Sequence, residues 1–334
     1  MGVREAEARP LVSVIVPVRD KPAELRALLE RLEAQTVPRD DFEIVIGDDG
    51  SRGSALSDLG HSNGRVRVVS GPPRTSYAAR NRAVSAARGA VLAFCDSDCL
   101  PEPTWLAEGL DALERADVVA GEVTFVAPER TSLWSLLTID MFLDQEQNVR
   151  LGRGVTANLF VRRESFELVG GYDETLPSGG DYDFVRRLVE HDARLAYAPA
   201  AVVRHPTIDA GRTFLRKVWH TNRWAAVRRA RAGGRPDLKA LLTFVPFVGV
   251  TLARRHALRS PLRLCEPRLA ASGVDPSRVE RFVALSALYF VVAYVAVLGR
   301  MSGWIAWRQQ TRRKAVVAGQ TVPEANDPAE SIHA

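Results

Sequence analysis

An α/β fold built on a doubly wound, mostly parallel sheet is predicted for this chain by three observations. Short apolar, β-branched runs alternate with stretches of helical periodicity, the pattern that strand–helix–strand units produce. Two of those runs end abruptly on paired acids, Asp48-Asp49 and Asp96-Ser97-Asp98, so carboxylates gather where strands of such a sheet finish. The composition is that of a globular core, with 46% hydrophobic residues in 334.

The elements follow in order. After a polar lead over residues 1–10, Leu11 to Val16 is a continuous apolar run closed by Pro17, a first buried strand. Asp20 then caps a helix with Pro22 in its first turn and Leu25, Leu28, Leu29 and Leu32 on one stripe. Phe42 to Gly47 is a second strand, delivering Asp48 and Asp49 ahead of Gly50-Ser51, and Arg65 to Ser70 a third, weaker one. A helix from Tyr77 to Arg88 returns to the run Ala90 to Phe94, which has the length and composition of a central strand.

Beyond it, a helix over Thr104 to Arg115, a strand over Val118 to Val126 and a helix over Leu133 to Phe142 are expected. Gly152 to Gly154 loops into Thr156 to Arg162, and Gly170-Gly171 makes a turn. Asp181 opens a helix carrying Phe184, Val185, Leu188 and Val189, and two short strands, Arg194 to Ala198 and Ala201 to Val203, lead to His205-Pro206.

The C-terminal third differs in character. From Arg212 to Lys314 there are 21 Lys/Arg against 4 Asp/Glu (+17), while the rest of the chain has 24 against 36 (−12). The basic part therefore seeks an anionic surface, either a membrane or nucleic acid. Thr213 to Arg231 reads as a basic helix carrying Trp219 and Trp224, and Leu241 to Leu252 is apolar but short. Phe282 to Gly299 is eighteen residues without a charge, within the roughly 17–25 that a transmembrane helix needs. Trp304, Trp307 and Arg312-Arg313-Lys314 follow, and a disordered tail is expected over 315–334. A membrane fits the long uncharged run better than nucleic acid does. The domains expected are thus 11–211, an α/β unit, and 212–314, a helical membrane-associated region.

Three cysteines, Cys95, Cys99 and Cys265, are too few for a disulfide framework, and the lead resembles no signal peptide, so a reducing cytoplasmic face is expected. Cys95 and Cys99 read as packing residues rather than metal thiolates. Acids two residues apart, joined by a small serine at a strand end, suit a hard divalent cation that itself holds phosphate oxygens. Taken alone, such a triplet also suits a turn or a helix cap.

The motifs V-S-V-I-V-P-V-R-D, D-D-G-S, A-R-N-R-A, C-D-S-D and G-G-D-Y-D-F-V-R-R-L stand in this order over about Leu11 to Pro206. Together they resemble the family 2 inverting glycosyltransferases of the GT-A fold. The resemblance implies a nucleotide-diphosphate sugar donor and a Mg²⁺ or Mn²⁺ ion. It places Asp48 and Asp49 beside the nucleotide base with Pro17 lining the same pocket, Arg80 on the base or a phosphate, Asp96 near ribose or metal, and Asp98 on the metal. It makes Asp181 the catalytic base and His205 a contact of diphosphate or metal. Asn158 and Asp183 are candidates for contact with the donor sugar or acceptor, and Asn158 suits a structural side-chain to backbone bond equally well.

The chain departs from the pattern at Gly180, where the family carries Glu, and this makes Asp183 the alternative base. His220-Thr221-Asn222-Arg223-Trp224 resembles the Q-x-x-R-W of processive members with His for Gln, and reads better as an interfacial amphipathic element. The implied activity is metal-dependent, inverting transfer to a lipid-linked or cell-envelope glycan at the cytoplasmic side of the cell membrane. Nucleotidyl transfer to a sugar phosphate is disfavoured because no glycine-rich loop stands near Pro17. The non-enzymatic alternative is a nucleic-acid- or membrane-surface-binding protein whose α/β domain is only a scaffold.

Overall fold

Val12, Val14, Val16 and Val18 point into one apolar core and Ile15 into another, so the first strand, β1 (Val12–Val18), is covered on both faces. The computed structural model describes residues 11–52, 56, 66–126, 132–234, 268, 270–273 and 282–317, the side chains of 282–290 and 312–317 excepted. The lead over 1–10, the run Leu241 to Leu252 and Cys265 lie outside the described residues.

Helix α1 (Pro22–Glu33) follows β1, with Pro22 in its first turn as expected. It buries Leu25, Leu28 and Leu32 on the sheet, each contributing about 1.5–3 kcal/mol. Asp20 does not cap it. Its backbone is left-handed, at φ 54°, and its carboxylate accepts from Arg52, while Lys21 takes the cap position. Strands β2 (Phe42–Asp48) and β3 (Val66–Ser70), helix α2 (Ser76–Ala86) and strand β4 (Val91–Cys95) complete the first half.

Pro17 lies inside β1 rather than at its end, opposite Gly47. It is tolerated there because pairing with β4 stops at Ile15, so no neighbour on that side requires an amide proton. Gly47 is where α2 approaches most closely, since a Cβ built on it would collide with the Ala79 carbonyl. The buried Ser13 and Glu43 satisfy each other, at 2.8 Å, and bind the Gly89 and Arg88 amides that lead into β4.

The second half comprises β5 (Leu100–Pro101), α3 (Trp105–Leu113), β6 (Val118–Phe125), α4 (Leu133–Met141), α5 (Gln145–Arg150), β7 (Asn158–Arg162), α6 (Arg163–Leu168), α7 (Gly180–Glu190) and β8 (Leu195–His205). All strands join one sheet of order β3-β2-β1-β4-β7-β6-β8-β5. The four N-terminal strands are parallel. Then β7 runs antiparallel to both neighbours, β8 is parallel to β6, and β5 is antiparallel to β8. The sheet is α/β as expected, but only its first half is uniformly parallel. The two strands expected over 194–203 are one, β8, whose register against β6 shifts between Gly121 and Glu122.

Helices α8 (Gly211–Arg231) and α9 (Phe282–Val317) follow. The chain divides into two compact units, 1–214 with 255–285, and 215–254 with 286–334. Within the second, a Cβ on Gly299 would lie 2.7 Å from the Trp219 carbonyl oxygen and one on Gly303 would collide with that of Arg223, so α9 abuts α8 at these glycines. The uncharged run 282–299 is therefore the first half of a 36-residue helix that continues through Arg300 and Arg308. Among the described residues no helix is long and apolar enough to cross a membrane, and the side chains of 282–290 lie outside them. Residues 315–317, assigned above to the tail, belong to α9.

Candidate active site

Strand β4 ends at Cys95, and a turn closed by the Cys99 amide on the Asp96 carbonyl, 3.0 Å, presents Asp96, Ser97 and Asp98. The two-residue strand β5 then pairs Leu100 with Arg204 of β8. This pairing brings Asp98 to the end of β8, where its Oδ1 lies 3.7 Å from Nε2 of His205. Nδ1 of His205 is 2.8 Å from the Pro206 carbonyl oxygen, which can only accept. That bond puts a proton on Nδ1 and turns Nε2 toward Asp98.

Asp98 and His205, with Cys99 Sγ, place one potential ligand atom each within 4.8 Å of one another. The Cys95 contact and burial push the Cys99 thiol well above its ordinary pKa, and a soft sulfur suits a hard divalent cation less well than the carboxylate and the imidazole do. Hard oxygen and borderline nitrogen donors at a strand end fit Mg²⁺ or Mn²⁺. On its other oxygen Asp98 receives Lys21 Nζ at 2.5 Å. Burial opposes the Asp98 charge, but His205 and Lys21 outweigh it and hold this carboxyl below the usual range.

Arg80, on α2, is 3% exposed. Its Nη2 pairs closely with Oδ1 of Asp96, and its guanidinium lies 5.6 Å from the Tyr77 ring centre. Burial works against the charge of Arg80, and Asp96 more than compensates. Among the described residues, Arg80 Nε and the hydroxyl of the buried Tyr172 have no hydrogen-bond partner, so two buried donors near Asp96 are available to an anion. Asn81, next in the same motif, receives the Tyr172 amide at 3.0 Å and donates to the Tyr172 carbonyl at 2.9 Å, tying α2 to the turn before α7.

Asp181 is the second residue of α7, behind the cap Gly179, whose φ of 72° favours glycine. Its Oδ1 accepts from the Tyr182 amide at 3.0 Å and from the Tyr77 hydroxyl at 3.4 Å. Asp183, the alternative base, accepts from Arg186 and Arg187, both at 2.9 Å, on the flank of the same helix.

Asp48 and Asp49 are both buried and hold loops. Asp48 accepts from the Ser51 amide at 2.9 Å and Asp49 from the Arg74 amide at 2.8 Å. A cavity of about 330 Å³ opens at the loop that Asp48 holds through Ser51, lined by Asp20, Lys21, Pro22, Ser51, Arg52 and Leu56. Pro17 is set one step back, inside β1. Asn158 is not brought to this edge in the same way. Fully buried, it donates to the Glu122 and Ala201 carbonyls at 2.8 and 2.7 Å and accepts from Trp105 Nε1 at 2.8 Å.

The structure thus gathers Asp96, Asp98, His205, Arg80 and Asp181 around the carboxyl ends of β4 and β8. It adds Lys21, Tyr77 and Tyr172, which sequence reasoning missed. The model of Glycosyl transferase family 2 matches residues 13–169. Glycosyltransferase AglE of Haloferax volcanii is 30% identical over 207 residues, covering 59% of this chain and 67% of AglE.

The chain belongs to glycosyl transferase family 2. This glycosyltransferase is also 24% identical over 232 residues to the beta-monoglucosyldiacylglycerol synthase of a Nostoc species, covering 65% of the chain but 48% of that relative. A mannosyltransferase of Pyrobaculum calidifontis, solved with GDP-Man and Mn²⁺, superposes with a TM-score of 0.56 at 18% identity over 88% of each chain. That likeness shows the GT-A fold.

Proposed function

We propose that the enzyme transfers a sugar from a nucleotide-diphosphate donor to a hydroxyl group with inversion at the anomeric carbon, assisted by Mg²⁺ or Mn²⁺. The observation that carries this reading is the convergence of Asp98, His205, Arg80 and Asp181 on one sheet edge. Asp98 and His205 would hold the cation, which neutralises charge developing on the leaving diphosphate. The buried Nε of Arg80 faces the same need, and its planar fork suits a phosphate better than an ammonium would. The cavity bordered by Lys21 and Arg52 has room and charge for the nucleotide.

Asp181 removes the acceptor's hydroxyl proton as the acceptor oxygen bonds to the anomeric carbon. The bond from that carbon to the phosphate oxygen breaks on the opposite face, and its electron pair leaves with the nucleoside diphosphate. No covalent sugar intermediate is required. A positioned base of this kind contributes about 10²–10⁴ in rate. Asp183 serves less well, because its two arginine partners hold its carboxyl below the ordinary range, against burial, and so weaken it as a base.

The acceptor proposed is a lipid-linked or cell-envelope glycan at the cytoplasmic side of the membrane. On α9, Val291, Tyr294, Leu298, Met301 and Ile305 are all exposed, and their alternating spacing of three and four residues lines one helix face over about 21 Å. Trp304 and Trp307 stand 5.2 Å apart, with Arg308 over Trp304. An apolar stripe flanked by Trp and Arg suits a helix lying in the headgroup plane. One curated relative is named for a glucosylated diacylglycerol.

The test is thermal protection across UDP-, GDP- and dTDP-sugars with and without Mn²⁺, followed by turnover of the protecting donor by Asp98→Ala and Asp181→Asn. Metal-dependent protection and loss of turnover in both variants are expected. Turnover retained by both would sink the mechanism, and an axial/equatorial product assignment showing retention would remove inversion. Binding to anionic vesicles that survives high salt supports the apolar stripe, and absence of vesicle binding removes the membrane reading.

A further inference from the structure

Position 180 carries no side chain, and the space its side chain would fill is already taken. A Cβ built on Gly180 would lie 2.8 Å from Cε2 of Tyr77 and 2.9 Å from its Cδ2. These separations are closer than real carbon contacts, so the Tyr77 ring and any residue larger than glycine at 180 exclude each other. The ring that occupies the space comes from α2, 104 residues away in sequence from Asp181, and its hydroxyl ends 3.4 Å from Oδ1 of Asp181.

We infer that Tyr77 is the positioning residue for Asp181, orienting the carboxylate by its hydroxyl and standing where a neighbouring side chain would otherwise stand. This rests on Asp181 being the base. The Tyr77 ring is itself held firmly, because it is buried, stacked on Tyr172 at 5.7 Å and overlain by Arg80 at 5.6 Å. Its hydroxyl keeps its proton and can donate to the Asp181 carboxylate, because burial and then the Asp181 charge raise its pKa far above neutrality. The Tyr182 amide is aimed at the same oxygen, 3.0 Å from it. Two donors converging on Oδ1 from different elements fix the plane of the carboxylate before substrate arrives, which is the preorganisation that a proton-accepting group needs. At 3.4 Å the Tyr77 bond is longer than the 2.5–2.7 Å of a tight O–H···O⁻ contact, and such bonds shorten in the substrate complex.

Among the described residues, Tyr77 and Arg80 from α2 and Tyr172 from the turn before α7 interact electrostatically with Asp181, and Arg80 is paired in turn with Asp96. Tyr77→Phe changes none of these except the one hydroxyl. With UDP-glucose or GDP-Man and Mn²⁺, whichever protects the protein, nucleoside diphosphate release is measured against pH. For Tyr77→Phe, kcat should fall about 10- to 100-fold with the donor KM unchanged. The acidic limb of the profile should move to higher pH, because the ionised carboxylate has lost a donor. Gly180→Ala, which must push the ring away, should reproduce both effects.

A profile and kcat for Tyr77→Phe equal to those of the parent overturn the inference, as does a defect confined to KM. Should Tyr77→Phe not fold, Gly180→Ala alone carries the same two outcomes. Asp181→Asn separates the two levels: if it is active, the base assignment fails, whereas if it is inactive and Tyr77→Phe is normal, only the positioning role falls.

Discussion

Nζ of Lys21 lies 2.5 Å from Oδ2 of Asp98, across 77 residues of sequence and from the opposite side to His205. The proposed metal ligand therefore already has a cation of the protein's own. Both partners are partly exposed, so the pair contributes only about 1 kcal/mol.

Replacing that cation gives the first prediction. Lys21→Met should tighten Mn²⁺ binding to the donor-free protein by about fivefold, the equivalent of about 1 kcal/mol. Calorimetric titration measures it, and unchanged or weaker affinity would show that the ammonium does not compete with the ion.

The Arg80–Asp96 pair yields the second. Arg80→Met leaves Asp96 without its partner, and because Asp96 is 31% exposed water will partly replace it. A loss of about 1–3 kcal/mol in urea-induced unfolding is expected. Donor KM should rise at least about tenfold, and Arg80→Lys should restore stability better than it restores KM.

Asp183 gives a pH dependence. Its folded-state pKa is depressed below the ordinary value of 3.8 by Arg186 and Arg187, so its stabilising contribution is present above that value and lost as pH falls through the folded pKa. Asp183→Asn should be less stable than the parent at about pH 7. The gap between the two should close below about pH 3.8; a gap that stays constant from about pH 7 to about pH 3 would contradict the pairing.

The Asn158 side chain makes three hydrogen bonds in the interior, joining Trp105 to β6 and β8. Asn158→Ala should cost about 2–4 kcal/mol, mostly from stranded polar groups. A structural role leaves the donor KM of the folded fraction unchanged, whereas a sugar contact would raise it.

The parts of the molecule legible in the sequence are those encoded within one element. β1, β2 and β4 announce themselves because burial on both faces forces nearly continuous apolar runs, interrupted only by the paired Ser13 and Glu43, and the acids after β2 and β4 follow directly. Strand direction is not local: nothing in Asn158–Arg162 reveals that it runs against β4. Strand β5 has two residues, too few for any periodicity, yet it is what carries Asp98 to His205. Pro17 looks like a terminator until the early end of the β4 pairing is known. Asp20 has the composition of a cap, but its left-handed backbone turns it toward Arg52. Lys21 and Tyr77 escape a reading of the sequence because their partners are 77 and 104 residues away. Asn81 is within reach of one, standing beside Arg80 in the motif A-R-N-R-A.

The close approach of α2 to Gly47 has a consequence for how this enzyme can change. Arg80 and Tyr77 ride on one helix, one proposed to serve the leaving-group end of the reaction and the other the acceptor end. Lifting that helix by a methyl group at position 47 would carry both away from their partners together, so neither neighbour could adapt alone. A side chain at position 47 would therefore be felt at both residues at once, although it touches neither, and the single hydrogen atom of Gly47 acts as the spacer that sets their common height above the sheet.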